Sequence, residues 1–410
     1  MRRALLTVAL AAACAAPAQG AGVTTHAYMA QSATTFVQDE RLAALLEANA
    51  GALLSGGAYP DGGYASSSFP GGDYGETSHW QRFVDAYVRT LRARSDCGDL
   101  AAPDGPCAKV VAHLFGVAAH GMGDELWDWL FEPAMADHGE SPEHPVFRAG
   151  VPGFGEAVNA TPLSLINTSE YVMDVIALVD GGRLASLGTT PPPFDDLLAA
   201  YRDIARDDIT REGILAGNGL ITAAQLGERS GLAEEYARVK LTMPWSSAHM
   251  FTAPGGVFFS ARAIAAYYES VWHTLLTGEP APLRVGNVAP AHGTVGVTTD
   301  FQPAQVSPGP RDGGAGKRIV ATFSAALDPA TVTPDTVRLL DEDGDLVAPM
   351  PGFPRMGPYG PDDGEHTLML YPADDLAPCT RYTAEITPGL RDWFGEKLER
   401  PVRWSFETAC

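Results

Sequence analysis

The sequence predicts a mainly α-helical domain followed by a β-sandwich. From residue 21 to about 280, Ala, Leu and Val recur at the three- and four-residue spacings of one helix face. The Pro-rich segment 278–293 has no helical period, and beyond it apolar and polar residues alternate, as in half-buried strands. We therefore expect a helical domain at 21–280 and a β-sandwich at 281–410, preceded by a leader at 1–20.

The leader has the three-part pattern of a secretory signal. Two arginines precede an apolar run at 4–13, and small residues with a proline follow. The run is shorter than the roughly 20 residues that span a bilayer. Cleavage after Ala18 or Gly20 fits the small-residue rule, so we expect a secreted or periplasmic bacterial protein. A lipoprotein anchor at Cys14 is the less favoured alternative.

Helical periodicity divides the first domain into segments joined by Gly-, Pro- and Ser-rich stretches. The predicted helices are 35–52, 80–94, 108–131, 169–179, 194–207, 232–241 and 261–277. The longest stretch between them, 55–78, is predicted to be a loop. Long loops inside a compact domain are often functional.

The second domain is predicted from alternation and turn residues. Residues 382–387 and 402–407 alternate apolar with polar side chains, and DG and PG pairs separate the strands. The strings KRIVATFSAALDPATVTPDTVRLLDEDGD and LMLYPADDLAPCTRYTAEITPGLRDWFGEKL resemble a bacterial Ig-like domain. This resemblance covers most of 285–410 and implies a module appended to an exported enzyme.

Composition excludes several classes of protein. The chain has 410 residues, 45% of them hydrophobic, and a formal net charge of −22. A disordered chain would have fewer apolar residues. A general nucleic-acid binder would need a basic surface, so no nucleic-acid partner is expected. An enzyme that cuts phosphodiesters through bound metal remains compatible with this charge.

Four cysteines lie outside the leader. Cys97 and Cys107 bracket a short Gly/Pro/Asp segment, and Cys379 and Cys410 lie near the end of the chain. Of the three possible connectivities, we favour local pairing, 97–107 and 379–410, because an exported chain folds where disulfides form. The alternative is free, buried thiols.

The string HGMGDELWD contains potential metal ligands on one helix face. His120, Asp124 and Asp128 are four residues apart and project at about 0°, 40° and 80° around a helix. Imidazole and carboxylate are ligands for divalent ions. A solvated polar face is the alternative for this helix taken alone.

Three further strings add chemistry of the same kind. GVTTHAYMA contains His26, GAYPDGGY contains Asp61, and GETSHWQRFVDAYV contains His79. Together with KVVAHLFGVAAHGMGDELWDWLF they resemble the zinc-dependent phospholipase C family, which includes the catalytic domain of glycosylphosphatidylinositol-specific phospholipase D. The resemblance covers about 21–180 and extends more weakly to 280. It implies a phospholipase C-like fold for the helical domain.

The resemblance implies a set of metal ligands. The residues matching Asp61, His79, His120 and Asp124 bind one Zn²⁺, and those matching His26 and Asp124 hold another. The family sometimes adds the mature amino terminus, a role that Ala21 would take after cleavage at Gly20.

The sequence departs from the family pattern at the ligands expected for a third metal. Asp128 stands where a histidine is expected, and no HxxxE or HxxxD pair follows. The nearest match is Glu170 with Asp174 on a predicted helix. His138 and His144 are alternatives, as is the absence of this metal. A carboxylate in place of imidazole favours harder ions, so we expect Mn²⁺, Mg²⁺ or Ca²⁺ to be accepted.

The resemblance implies a metal-dependent phosphodiesterase that hydrolyses phospholipids by phospholipase C- or D-type cleavage. Asp61 would bind metal and accept the proton of the attacking water, unless it only forms an Asx turn. Tyr64, Phe69 and Trp80 are candidates for a cation–π pocket around a headgroup, with ordinary packing as the alternative. We expect a monomer that contacts membranes transiently.

Two other functions remain open from the sequence. A single-strand nuclease could share the fold, although the region around 19–26 lacks the tryptophan with which such enzymes begin. A metal-binding surface or adhesion protein is the non-enzymatic alternative. In that case the Ig-like module would be the functional part.

Overall fold

The computed structural model describes residues 21–138, 140, 168–182, 184, 190–230, 232–301, 318–356 and 365–410. The expected leader at 1–20 lies outside these residues, as does His144. Helices occupy the first region and strands the second. The α-helices in chain order are α1 Val23–Ala33, α2 Glu40–Ala48, α3 Ala50–Ala65, α4 Gly75–His79, α5 Gln81–Ala93, α6 Ala108–Leu126, α7 Glu132–Asp137, α8 Thr168–Asp180, α9 Phe194–Asp203, α10 Arg211–Ser230, α11 Leu232–Thr242, α12 Pro244–His249 and α13 Val257–Thr277.

The segment 55–78 is not one long loop, contrary to the sequence prediction. Residues up to Ala65 continue α3, and α4 begins at Gly75. The glycines that suggested a loop serve a close helix crossing instead. A Cβ at Gly56 would lie 2.1 Å from the carbonyl oxygen of His113, and one at Gly116 would lie 2.0 Å from that of Leu53. Small residues on both faces let the backbones of α3 and α6 touch.

The periodicity missed several helices, among them α1 and α10, and one helix was predicted to begin too early. α1 and α10 are rich in Gly, Thr and Ala, which weakens their apolar stripe. α2 begins only at Glu40, because the Asp39 side chain accepts from the backbone N–H groups of Arg41 and Leu42 and caps the helix.

The helix expected over 108–131 changes its hydrogen-bond pattern before it ends. α6 runs from Ala108 to Leu126, and Trp127–Phe131 form a π-helical turn. Pro133 lies just beyond and has no N–H to donate to the carbonyl four residues earlier. Asp128, predicted to share a face with His120 and Asp124, is the second residue of this turn.

The second region is a two-sheet sandwich. Its strands are β1 Val285–Ala289, β2 Thr294–Val297, β3 Ile319–Phe323, β4 Val337–Leu340, β5 Leu346–Val347, β6 Arg355–Met356, β7 Thr367–Leu370, β8 Arg381–Ile386 and β9 Val402–Thr408. One sheet has the order β1-β3-β7-β6, and the other has the order β2-β9-β8-β4-β5.

The expected alternation holds in β8 and β9 with one exception. Ala384 pairs with Trp404 and Tyr382 with Phe406, and all four side chains are buried between the sheets. Glu385 was expected on the solvent side, but it is buried because Arg338 and Arg403 bind its carboxylate.

Both predicted disulfides are confirmed, Cys97–Cys107 and Cys379–Cys410. The first closes the segment before α6, and the second joins the end of the chain to the residues before β8.

The sandwich packs directly on the helices. Val320, Met369 and Tyr371 belong to the same buried cluster as α6 and α13. The Asn287 side-chain amide donates to the Phe259 carbonyl oxygen at 3.1 Å. Among the helices that the structure describes, none is long and apolar enough to cross a membrane.

Candidate metal centre

Five of the predicted ligands converge where α1, α3, α4 and α6 meet. His26 comes from α1, Asp61 from α3, His79 from the end of α4, and His120 and Asp124 from successive turns of α6. All are buried except Asp61, whose side chain is 11% exposed.

Two glycines beside the ligands let these elements come together. A Cβ at Gly121 would lie 1.7 Å from the carbonyl oxygen of His79, and one at Gly123 would lie 2.9 Å from Nδ1 of His26. In the HGMGD string, the ligands His120 and Asp124 are therefore each next to a position where the close approach of another segment leaves room only for glycine.

The two histidines of α4 and α6 are oriented by backbone carbonyls. His120 Nδ1 lies 2.7 Å from Gly57 O, and His79 Nδ1 lies 2.6 Å from Gly75 O. A carbonyl accepts only from N–H, so each Nδ1 is protonated and each Nε2 of a neutral ring carries a lone pair. These two Nε2 atoms lie 3.0 Å apart. Facing lone pairs at this distance require a cation, either a proton or a metal ion.

Two carboxylates complete the set around these nitrogens. Asp124 Oδ2 lies 3.2 Å from His79 Nε2 and 3.3 Å from His120 Nε2, and Asp61 Oδ1 lies 3.5 Å from His120 Nε2. Four ligand atoms bonded to a tetrahedral zinc ion are separated from one another by about 3.3 Å. Four of the distances between these atoms, at 3.0–3.5 Å, are close to the separations within a zinc coordination shell.

The other oxygen of Asp124 faces the amino-terminal segment. Asp124 Oδ1 lies 2.8 Å from His26 Nε2 and accepts a hydrogen bond from the backbone nitrogen of Ala21 at 3.0 Å. Within the described part of the chain, neither ring nitrogen of His26 nor Asp124 Oδ2 has an aligned hydrogen-bond partner. Because buried polar groups are normally hydrogen-bonded with good geometry, His26 and Asp124 would be suited to hold a second cation.

The electrostatics of the cluster favour bound cations. Burial lowers the pKa of His120, but Asp61 and Asp124 outweigh it and raise that pKa to about 10. Burial raises the pKa of Asp124, but His26 and His120 hold it well below its usual range. Burial and the neighbouring His120 lower the pKa of His26. The pocket therefore attracts positive charge to His120, at the place where a metal ion would bind.

The remaining predicted ligands do not join this cluster. Among the described residues of the pocket, the close ligand groups are His26 with His120 and Asp124, and Asp61 with His79 and His120. Asp128, in the π-helical turn, belongs to neither group. Asp174 accepts from the backbone of Thr24 and Thr25 at the start of α1.

The other candidate ligands for a third metal do not form a described site. Glu170 is in α8, but its side chain is outside the described part of the chain. His138 stacks on Trp245 with ring centroids 4.4 Å apart. The carboxylate-rich third site is thus without a described set of converging ligands.

Two of the predicted substrate residues flank the cluster. The Tyr64 hydroxyl and the Trp80 indole N–H donate to the two oxygens of Glu76, at 2.6 and 2.8 Å. Their rings lie 5.0 and 6.0 Å from the ring of His79. Phe69 is exposed on the turn after α3. His113 is buried between Tyr59 and Tyr87.

Sequence reasoning missed the groups that orient the ligands. The carbonyls of Gly57 and Gly75 and the carboxylate of Glu76 carry no motif of their own. The sequence held one signal of this packing. A glycine directly beside a predicted helical ligand, as at Gly121, indicates that another backbone segment passes close to the helix there.

Comparison with known proteins identifies the second region. The family model of the bacterial Ig-like domain matches residues 279–408, so this part of the chain is an Ig-like domain. No curated protein matches the chain.

Solved structures with similarity to the chain include surface layer proteins. Domains 1–6 of surface layer protein SbsC align at 12% identity and a TM-score of 0.21, over 80% of this chain and 45% of that chain. The N-terminal part of the bacterial S-layer protein SbsC aligns at 14% and 0.21, over 80% and 78%. TM-scores this low do not indicate a shared fold.

Proposed function

We propose that the protein is an exported, metal-dependent phosphodiesterase of the phospholipase C or D type, with the helical region as its catalytic domain. The observation that carries the proposal is the approach of His79 Nε2 and His120 Nε2 to 3.0 Å, with carboxylate oxygens 3.2–3.5 Å away. Such spacing fits a site for Zn²⁺ or a similar divalent ion.

The residues of the centre have different roles in the proposed reaction. A bound divalent ion would neutralise phosphate charge and lower the pKa of a bound water. Asp61 has the most exposed side chain of the four residues, at 11% against 3% or less, so it can accept a proton from a water at the mouth of the site. His79 and His120, fixed through Nδ1, hold their Nε2 atoms in place.

The neighbouring aromatic side chains support a cationic headgroup as part of the substrate. The rings of Tyr64 and Trp80 and the carboxylate of Glu76 are held together beside His79. Aromatic faces with an anion at their edge attract an ammonium group. This arrangement, together with the net charge of −22, favours a phospholipid over a polyanionic nucleic acid.

Export is part of the proposal. The two disulfides and the Ig-like domain fit a periplasmic or cell-surface location. A non-catalytic metal-binding surface protein is the second candidate, because an Ig-like domain also suits adhesion.

The test is product analysis with defined metals. The purified protein is stripped of metal, reloaded with Zn²⁺ or Mn²⁺, and incubated with mixed phospholipid vesicles. Mass spectrometry that finds diacylglycerol or phosphatidic acid supports the proposal and identifies the bond that is cut. Cleavage of single-stranded DNA alone would indicate a nuclease. Metal binding without hydrolysis of either substrate would favour the surface protein.

A further inference from the structure

A buried residue of the Ig-like domain, His366, contacts residues next to the metal centre. Its backbone N–H donates to both carboxylate oxygens of Glu125, at 2.9 and 3.0 Å. Its imidazole Nε2 lies 3.0 Å from Oε1 of Gln81, and its ring lies 4.4 Å from that of Tyr267 on α13. His366, Glu125 and Gln81 are each 5% exposed or less.

The two partners of His366 lie next to metal-site residues on two different helices. Glu125 follows Asp124 on α6, and Gln81 begins α5 two residues after His79. One residue of the sandwich therefore links the two segments that carry these ligands. Anchoring of both segments by His366 limits where the adjacent ligands Asp124 and His79 can lie.

His366 is itself held firmly within the sandwich. Its carbonyl oxygen accepts from the backbone N–H of Phe323 at 2.8 Å, immediately before β7 pairs with β3. A second contact lies one helical turn beyond Glu125, where the guanidinium of Arg318 sits 5.6 Å from the Trp129 ring centre. The sandwich thus contacts the end of α6 and the π-helical turn after it.

We infer that the Ig-like domain is a structural part of the metal centre and that His366 and Glu125 are positioning residues for Asp124 and His79. In this account the domain is not an independent module tethered to the enzyme. Because the coupling is reciprocal, metal binding also stabilises the sandwich around His366. The inference rests on the metal centre proposed above.

The test measures metal affinity and geometry rather than turnover. Zn²⁺ affinity is determined by chelator competition, and Co²⁺ absorption reports the coordination geometry, for the full chain and its variants. Glu125→Ala should raise the Zn²⁺ Kd by about 10- to 100-fold and shift the Co²⁺ bands. Glu125→Gln keeps one acceptor for His366 N–H and should recover part of the affinity.

A matched control separates positioning from general destabilisation. Glu385 is a buried carboxylate of the Ig-like domain. It lies on β8 and is bound by Arg338 of β4 and Arg403 of β9. Glu385→Gln should lower the unfolding midpoint and leave the Zn²⁺ Kd and the Co²⁺ spectrum unchanged. Hydrogen exchange on the unmodified chain should show slower exchange of the His366 amide when Zn²⁺ is bound.

The outcomes separate this inference from the proposed function. If the unmodified chain binds neither Zn²⁺ nor Co²⁺, the proposed metal centre and this inference both fail. If it binds both ions, but Glu125→Ala and Glu125→Gln leave Kd within twofold and the spectrum unchanged, the inference alone is overturned.

Discussion

The carboxylate of Asp174 accepts hydrogen bonds from the Thr25 backbone N–H and hydroxyl, at 2.7 and 2.6 Å, and so caps α1 from a distant helix. The next residue is His26, which faces the metal centre. A carboxylate at this position also interacts favourably with the positive end of the helix dipole. Asp174, expected from the sequence to bind a metal, holds the start of α1 in place.

Asp174→Ala should therefore destabilise the protein and loosen the His26 side of the centre. Loss of a buried cap and its hydrogen bonds should cost about 1–3 kcal/mol of unfolding free energy. Affinity for the second equivalent of Zn²⁺ should fall. Denaturant unfolding and calorimetric titration measure the two effects.

Asp39→Ala is the control, because the Asp39 side chain also accepts from two backbone N–H groups at a helix start, but away from the metal centre. It should cost about 1 kcal/mol and leave Zn²⁺ affinity unchanged. Equal effects of both variants on the affinity would contradict the role assigned to Asp174.

Gly116→Ala should be strongly destabilising, because its Cβ would lie 2.0 Å from the carbonyl oxygen of Leu53. Helices α3 and α6 would have to separate, at a cost of about 1–3 kcal/mol or more. Gly219→Ala on α10 offers the opposite case, since nothing lies within 4 Å of its Cβ position. At this position alanine should stabilise the helix by up to about 1 kcal/mol. Urea unfolding should therefore show a lower unfolding free energy for Gly116→Ala and a higher one for Gly219→Ala.

Asp61→Asn should reduce turnover by about 10³-fold, because an amide cannot accept the proton of the attacking water. The fold should survive, since Asp61 lies at the partly exposed edge of the cluster. Circular dichroism establishes the fold, and steady-state kinetics on the lipid identified as substrate measures turnover. Activity within tenfold of the unmodified enzyme would remove Asp61 from the mechanism.

His113 should make the protein less stable in acid. Burial lowers its pKa to about 3, so the folded state stays neutral while the unfolded state takes up a proton below the ordinary pKa of 6.5. The stability is present above pH 6.5 and is lost as the pH falls towards 3. In the unmodified protein the unfolding free energy falls between pH 7 and pH 5. In His113→Gln this fall should be smaller by about 2 kcal/mol, as measured by urea unfolding at the two pH values. An unchanged loss would mean that other groups cause it.

Part of the site was predictable from spacing and part from the family resemblance. His120 and Asp124 share a helix face at a spacing of four, whereas His26, Asp61 and His79 were expected because the strings around them resemble the zinc-dependent phospholipase C family. The alternation of β8 and β9 predicted the sandwich in the same way, because local periodicity reports which side chains are buried together.

What the sequence did not reveal depends on contacts between distant segments. Gly56 suggested a loop because its partner, the backbone of α6, is far along the chain. Asp128 lies in a π-helical turn that periodicity does not reveal, and Asp174 contacts the backbone of α1, 150 residues away along the chain. The contact of His366 with Glu125 spans 241 residues and carries no motif.

X-ray absorption at the zinc edge tests the central claim most directly. The protein loaded with one equivalent of Zn²⁺ should show two imidazole nitrogens and carboxylate oxygens at about 2.0–2.2 Å. His120→Asn should remove one imidazole from this shell. A zinc ion surrounded only by oxygen, or one whose surroundings His120→Asn leaves unchanged, would contradict the proposed centre.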